Sequence, residues 1–338
     1  MKRLLLNLFL TLILLAAWGA GIFYLQYQKT LNTPLVAEGD GIITVKRGDT
    51  LVSLNRELIR RGVISGSDWV LPLYARLNPQ AANIKAGDYR IDENATLPSL
   101  INDITNGKVV VYSVTVVEGK TFKELRDTLK HTAGLEHTLN DKSDEEIAAL
   151  LGLNGNPEGW FLPETYQFNR GTTDLDMLKR MYGEMQRTLE QAWSQRAEGL
   201  PLASPYEALI LASIIEKETG VAAERPQISG VFIRRLQKNM LLQTDPTVIY
   251  GAADYHGDLT RKHLQTDTPY NTYINKGLPP TPIALPGKAS IEAALHPTDG
   301  DSLYFVADGT GGHTFSASYE EHQQAVADYL KKQQQNKP

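Results

Sequence analysis

SPYEALILASIIEKETG, residues 204–220, is the stretch around which the rest of the chain is organised. Ser204 suits a helix N-cap, Pro205 the first helical position, and Glu207 stands three residues after the cap, as a capping box requires. From Ala208 to Ile215 only Ser213 is polar. The spacing therefore predicts a helix that is apolar nearly all round and runs through a core. Gly220 is expected to end it in the left-handed conformation. On a 3.6-residue period Glu218 continues the face of Leu211, Ile214 and Ile215, whereas Glu216 stacks over Ala212 and Ser213. Glu218 is thus expected to point where the core points. It also falls in the last turn, where the helix dipole disfavours negative charge. Burial and dipole both raise a carboxyl pKa, which a general acid working near neutrality requires. The plainer alternative makes Glu216, Lys217 and Glu218 the solvated end of a core helix.

A chain of 338 residues can bury a sizeable core and is expected to form two domains. Its net charge of −5, with no long basic run, argues against a nucleic-acid partner. The absence of cysteine removes disulfides, zinc–thiolate sites, a cysteine nucleophile and a lipid-attachment cysteine. It is compatible with an oxidising compartment without fixing one.

Location is read from the N-terminus. After Lys2 and Arg3, the run Leu4–Leu25 carries no charge, and only Asn7 and Thr11 are clearly polar. As a helix it would span roughly 33 Å, enough for a bilayer core. Trp18, Phe23, Tyr24 and Tyr27 gather toward its far end, as aromatic residues do at an interface. Two leading positive charges predict a cytoplasmic N-terminus, with the remaining chain outside. A cleaved signal peptide is the alternative; the run is long for one and lacks a clean A-x-A site. The expected organisation is a cytoplasmic tail 1–3, a transmembrane helix 4–27, a linker 28–40, an α+β module 41–112, a larger mixed α/β catalytic domain 113–328 and a disordered tail 329–338.

In GIITVKRGDTLVSLNRELIRRGVI, from residue 41, Ile43 and Val45 alternate as in a strand, Gly48-Asp49 turns, and Leu51, Leu54 and Leu58 take helical spacing. A related pattern, SVTVVEGKTFKELRDTLKHTAG, returns 71 residues later, suggesting a two-copy strand–turn–helix unit. Between the copies, KAGDYRI and DENATLPSLINDITNGK read as a further strand and helix. The first copy resembles a LysM module through Thr44, Val45, Gly48, Asp49, Thr50 and Leu51. Such modules bind glycans containing N-acetylglucosamine, so the resemblance implies either glycan binding or a spacer of that fold.

Farther on, NPEGWFLPETYQF places Trp160, Phe161, Tyr166 and Phe168 around Gly159 and Pro163, an aromatic loop suited to sugar stacking or to core packing. A structural amphipathic helix is expected from Asp174 to about Arg196, and another, with a basic outer face, from Arg225 to Asn239. Gln243, Asp245, Tyr250, Tyr270, Asn271 and Tyr273 lie in short polar and aromatic loops that read as a substrate groove. Pro279, Pro280, Pro282 and Pro286 would fix the shape of one of them. His296 and His313 are isolated in Pro- or Gly-rich turns, so a structural or substrate-contact role is expected and no metal site.

IIEKETG, LQTDPTVIYG, YNTYINKGLPPTPI and YFVADGTGGHTF together resemble the endolytic murein transglycosylase, or YceG-like, family. The resemblance runs from about residue 40 to the tail and includes the anchor. It implies an inner-membrane, single-pass lytic transglycosylase with a periplasmic catalytic domain. Such an enzyme cuts nascent peptidoglycan strands internally at the MurNAc–GlcNAc bond, leaves 1,6-anhydroMurNAc ends and ends strand elongation. It works near the synthases (penicillin-binding proteins) and uses no cofactor. The resemblance makes Glu218 the catalytic residue, which helical phase had selected independently. Gln243, Asp245, Tyr250, Tyr270 and Asn271 are the candidates for binding the sugars. The competing readings are a muramidase-type hydrolase with Asp245 or Glu224 as second carboxylate, and a non-catalytic glycan-binding scaffold. An aminodeoxychorismate lyase, a label some family members have carried, is at odds with the anchor.

Overall fold

A computed structural model describes residues 2–37, 39–65 and 68–335. The chain divides into two compact units, one of residues 1–112 and 167–171, the other of residues 113–166 and 172–338. The architecture is α+β, with three two-stranded sheets among the described residues.

The first unit opens with helix α1 (Lys2–Asn32), whose mean hydropathy of 2.2 and length suffice to cross a membrane. The helix continues five residues into the stretch expected as linker. The reason is packing: Tyr27, Leu31 and Leu35 join the unit's core, and Phe23 stacks on Trp69 at 4.5 Å between ring centroids. Two of the aromatic residues expected at a membrane interface, Phe23 and Tyr27, therefore have partners inside the protein.

Next come β1 (Ile42–Val45), α2 (Leu51–Arg60), α3 (Val70–Leu77), β2 (Gly87–Arg90) and α4 (Leu97–Asn106). β1 and β2 pair antiparallel, with Ile42 opposite Arg90 and Val45 opposite Gly87. Thr50 caps α2 and forms a reciprocal capping box with Ser53. Ile43, Leu54, Leu58, Leu100 and Ile104 close the core around the fully buried Tyr89. The short return of chain at 167–171 supplies Arg170, which donates to the buried Asp88 carboxylate beside donors from Tyr112 and Thr44. Burial raises the Asp88 carboxyl, but those three donors outweigh it and hold it below the ordinary value.

The second unit contains β3 (Tyr112–Thr115) from Ser113 onward, α5 (Phe122–Lys130), α6 (Asp144–Leu150), β4 (Thr165–Phe168) up to Tyr166, α7 (Asp174–Ser194), α8 (Pro205–Glu218), α9 (Arg225–Gln237), α10 (Asp245–Gly251), α11 (Arg261–Gln265), α12 (Lys288–Leu295), β5 (Tyr304–Ala307), β6 (His313–Ser316) and α13 (Tyr319–Gln335). α8 is its axis. Every residue from Ala208 to Ile215 is buried, and the helix packs most extensively on α12, with α7, α9 and α10 also against it. β5 and β6 form an antiparallel hairpin covered by α13.

Several expectations are corrected. Ser204 does cap α8, accepting from the Glu207 N–H. Glu207, however, reaches back to the Ala203 N–H rather than to the cap residue, so the box is not closed on Ser204. The helix ends at an extended Thr219 (φ −144°), and Gly220 does not take the left-handed conformation. The aromatic loop resolves into β4 and core contacts: Phe161 stacks on Phe122, and Trp160 on Tyr206. α9 lacks a basic outer face, because Arg234 and Arg235 turn inward to donate to the carbonyls of Thr298, Ser302 and Leu303. Residues 329–335, expected as disordered tail, continue α13; residues 336–338 lie outside the described residues.

Gly159 shows how tightly the proline-rich loop is seated. Its φ is +81°, and an added Cβ would collide with the Pro282 ring. Gly159→Ala is expected to cost about 2–4 kcal/mol, from backbone strain plus overpacking. Denaturant unfolding of the full chain in detergent would show it as a lowered midpoint.

Candidate active site

The polar groups of α8 divide by helical phase. Ser213, fully buried, accepts the Ile283 N–H at 3.0 Å and donates to the Ile210 carbonyl. Glu216 accepts from the Gly287 N–H (3.0 Å) and the Ser290 hydroxyl (2.7 Å) at the start of α12, with Arg225 at 3.5 Å. Its side chain is only 6% exposed, so Glu216 is an internal anchor rather than part of a solvated end. These two contacts fix the segment from Ile283 to Ser290 against α8. Glu218, one turn face away, is left to the cleft.

That cleft has a volume of about 500 Å³ and is lined by Glu218, Gln243, Asp245, Tyr273, Tyr304 and His313 among others. Its far wall depends on an unusual backbone. Gln243 stands in the left-handed region (φ +52°), held there because its N–H donates to the Thr272 carbonyl. The next residue, Thr244, donates its hydroxyl to the Glu218 carboxylate. Thr244, Thr247 and Thr272 are all buried and bonded together: Thr247 and Thr272 share a hydroxyl contact at 2.9 Å, and the Thr244 N–H donates to the Thr272 hydroxyl at 3.1 Å. Arg235, also buried, donates to the Leu241 and Leu242 carbonyls and to the Gln243 side chain, and lies over the Tyr304 ring. A threonine lattice and one arginine thus hold the residues that face Glu218.

Burial pushes the Glu218 carboxyl up to about 7, against the Thr244 hydrogen bond, which favours the anion. Asp245 adds to the rise by like-charge repulsion, and His313 opposes it. Asp245 accepts from the Tyr273 hydroxyl at 2.6 Å. His313 is oriented by Glu224, which meets its ring Nδ1 and its main-chain N–H, each at 2.8 Å, and also accepts from Thr219 at 3.3 Å. With Nδ1 donating to that carboxylate, Nε2 is the ring atom left for other contacts. Burial alone would raise Glu224, but its bonds with His313 hold it below the ordinary value.

Of the seven residues singled out from sequence, Glu218, Gln243, Asp245 and Tyr273 come together. Tyr250 and Tyr270 pack edge to face at 4.9 Å elsewhere, with Tyr250 donating to Glu158 and Tyr270 within 2.9 Å of the Thr281 hydroxyl. Asn271 is fully buried; its amide donates to three carbonyls of residues 263–266, and its oxygen accepts the Tyr273 N–H. It shapes the loop rather than facing the cleft. Thr244 faces Glu218 without having been marked out by the sequence, and His313, for which a structural or substrate-contact role is expected, also lines the cleft. Thr244 lies in LQTDPTVIYG, where its residue type does not distinguish it from Thr247. His296 contacts Glu292 and the Gln195 carbonyl. Among the described residues, no three His, Asp or Glu side chains are grouped closely enough to hold a metal ion.

The YceG-like family matches residues 43–328. A Bacillus subtilis protein named endolytic murein transglycosylase is 30% identical over 326 residues, covering 90% of this chain and 89% of that protein. A Streptococcus pneumoniae protein of the same name is 26% identical, covering 97% of this chain and 65% of its own length. A crystal structure of a YceG-like protein from Listeria monocytogenes aligns with a TM-score of 0.54 at 27% identity, covering 84% of this chain and 97% of that one.

A carboxyl held at about 7 when folded, but near 4.5 when unfolded, costs stability once the unfolded chain can ionise it. The cost begins as pH rises through about 4.5 and is complete above about 7. It amounts to at most about 3 kcal/mol. Glu218→Gln is therefore expected to be the more stable protein at pH 8, with the difference vanishing at pH 4. Thermal unfolding at the two pH values would test this; an equal difference at both would contradict it.

Proposed function

The chain belongs to the YceG-like family, and we propose that it is a membrane-anchored lytic transglycosylase acting at Glu218. The observation that carries this reading is a glutamate at the end of a helix buried from Ala208 to Ile215, raised to about 7 and facing an open cleft. At neutral pH a large fraction of such a group holds its proton, so it can act as a general acid. In the reaction Glu218 gives that proton to the oxygen linking N-acetylmuramic acid to N-acetylglucosamine, and the C1–O bond breaks. As positive charge builds on the muramic ring, the new carboxylate takes the proton from its C6 hydroxyl. That oxygen then bonds to C1, giving a 1,6-anhydro end. The proton returns to Glu218 and no water is consumed. The Thr244 hydroxyl assists in the second state, since its hydrogen bond favours the anion that has just formed. Gln243, Tyr273 and His313 line the cleft, which supports a role for them in contacting the sugars.

Homologues that carry the name endolytic murein transglycosylase support cleavage within the strand. The apolar helix α1, preceded by Lys2 and Arg3, supports a single-pass anchor in the inner membrane with the cleft on the periplasmic side. Such an anchor would hold the enzyme beside the peptidoglycan synthases, where uncrosslinked strands emerge. The strand–turn–helix of β1 and α2, capped by Thr50, supports a LysM-like use of residues 41–112.

One observation favours a second reading. Asp245 shares the cleft with Glu218, and a hydrolase of the two-carboxylate kind would need such a partner. Glu224, the other candidate, is committed to His313. The products decide between the readings. Mass spectrometry of uncrosslinked strands incubated with the full chain in detergent is expected to show internal fragments with 1,6-anhydromuramic ends, absent with Glu218→Gln. Reducing ends in their place would establish the hydrolase.

The acid must be protonated to start the reaction. The rate is therefore expected to be level below pH 6 and to fall about tenfold per unit well above pH 7. Thr244→Val removes a donor that favours the anion, so it should move this alkaline limb to higher pH. Initial rates of anhydro-end formation across pH 5–9 would show either shift; a limb moving downward would contradict the role given to Thr244.

A further inference from the structure

A second cavity, of about 670 Å³, adjoins the same two chain segments that build the catalytic cleft. Lys217 lines this cavity and its neighbour Glu218 the cleft; Pro246 lines the cavity and its neighbour Asp245 the cleft. Consecutive Cα atoms are about 3.8 Å apart, so a branched molecule can occupy both places at once.

The lining differs in character from that of the cleft. Its buried polar group is Glu158, 4% exposed, which accepts from the Phe122 N–H at 2.9 Å and from the Tyr250 hydroxyl at 3.2 Å. Burial pushes the Glu158 carboxyl up to about 7, so at neutral pH it carries less than a full negative charge. Around it stand the rings of Tyr250 and Tyr255, the Ile249 side chain and the ammonium groups of Lys123 and Lys217. The rim carboxylate, Asp144, is already paired with Arg126 at 2.5 Å. An apolar surface beside the cationic side chain of Lys123, with Lys217 close by, suits a ligand with small aliphatic side chains and a carboxylate. A bare saccharide carries no such charge and would leave Lys123 without a counter-charge, whereas the Lys217 ammonium already donates to the Gly119 carbonyl at 3.1 Å.

We propose that this cavity binds the short acidic peptide carried by the sugar in the cleft, so that the enzyme selects peptide-bearing strands over denuded ones. The proposal rests on the transglycosylase reading above. The peptide carboxylate meets Lys123, with Lys217 adding positive charge nearby, and its alanine-sized side chains lie on Tyr250, Tyr255 and Ile249. Binding energy from this branch, remote from the bond that breaks, then positions the muramic ring against Glu218. Tyr250 thereby acquires a role beside the substrate, though not at the scissile bond.

The test uses the full chain in detergent and two substrates of equal length: peptide-bearing strands, and strands stripped of peptide by an amidase. Lys123→Glu and Tyr255→Ala change the cavity without touching the cleft residues. Wild type is expected to show kcat/KM about tenfold higher on peptide-bearing strands, and Lys123→Glu to abolish that preference with the denuded rate unchanged. Equal rates on the two substrates for wild type, or a loss that falls equally on both in the variants, would overturn the proposal. A parallel calorimetric titration uses a free acidic tetrapeptide with alanine and glutamate residues. Saturable binding, weakened about tenfold by Lys123→Glu, supports the site; no binding overturns it. If wild type cuts neither strand, the transglycosylase reading is the one that fails, and the titration still decides the cavity.

Discussion

The site depends on one carboxyl group being held where burial strips most of its hydration. α8 is apolar from Ala208 to Ile215 and packed on several sides, so its last turn cannot move outward without exposing that core. Glu218 is carried by this constraint into surroundings where ionisation is costly. A mobile side chain would recover its hydration and return to an ordinary carboxylate pKa. The raised pKa of this carboxyl is therefore a consequence of packing.

The group that faces Glu218 is held in a different way, by hydrogen bonds. Gln243 takes a left-handed backbone that a non-glycine residue seldom adopts, and the Thr272 carbonyl keeps it there. The reward is placement: the turn delivers Thr244 to Glu218 and sets Asp245 beside the same opening. Arg235 ties this turn to the β5–β6 hairpin by donating to the Leu303 carbonyl as well as to Leu241 and Leu242. His313 at the start of β6 is oriented by Glu224, only six residues after Glu218. The cleft is consequently built from segments far apart in the chain, locked by contacts that no local pattern announces.

That division sets what could be read from sequence. Helix periodicity reports which face a residue occupies, and on α8 this was enough to separate Glu218 from Glu216. It does not report what a face meets. Glu216 was assigned to a solvated end as one alternative, yet it anchors the start of α12 because Gly287 and Ser290 happen to lie opposite. Asn271 and Tyr270 share a motif and a polar character with true cleft residues, but residue type alone cannot distinguish a loop-shaping amide from a sugar-binding one. The arginines of α9 read as a basic surface for the same reason; the carbonyls that draw them inward come from residues more than sixty positions later.

The two strand–turn–helix copies make the point physically. Gly48 and Gly119 both stand at positive φ, and Thr50 and Thr121 both cap the following helix with a reciprocal box. Local sequence produced the same local structure twice. The uses differ because the neighbours differ. In the first copy α2 simply closes a small core with Leu54 and Leu58. In the second, the Gly119 N–H donates to the Leu285 carbonyl, the Gly119 carbonyl accepts from Lys217, and the first amide of α5 goes to Glu158. The turn thus braces the end of the helix that carries Glu218 and forms one wall of the adjoining cavity. A motif that only closes a core in one unit is, by what it touches, a brace for the helix end that carries Glu218 in the other.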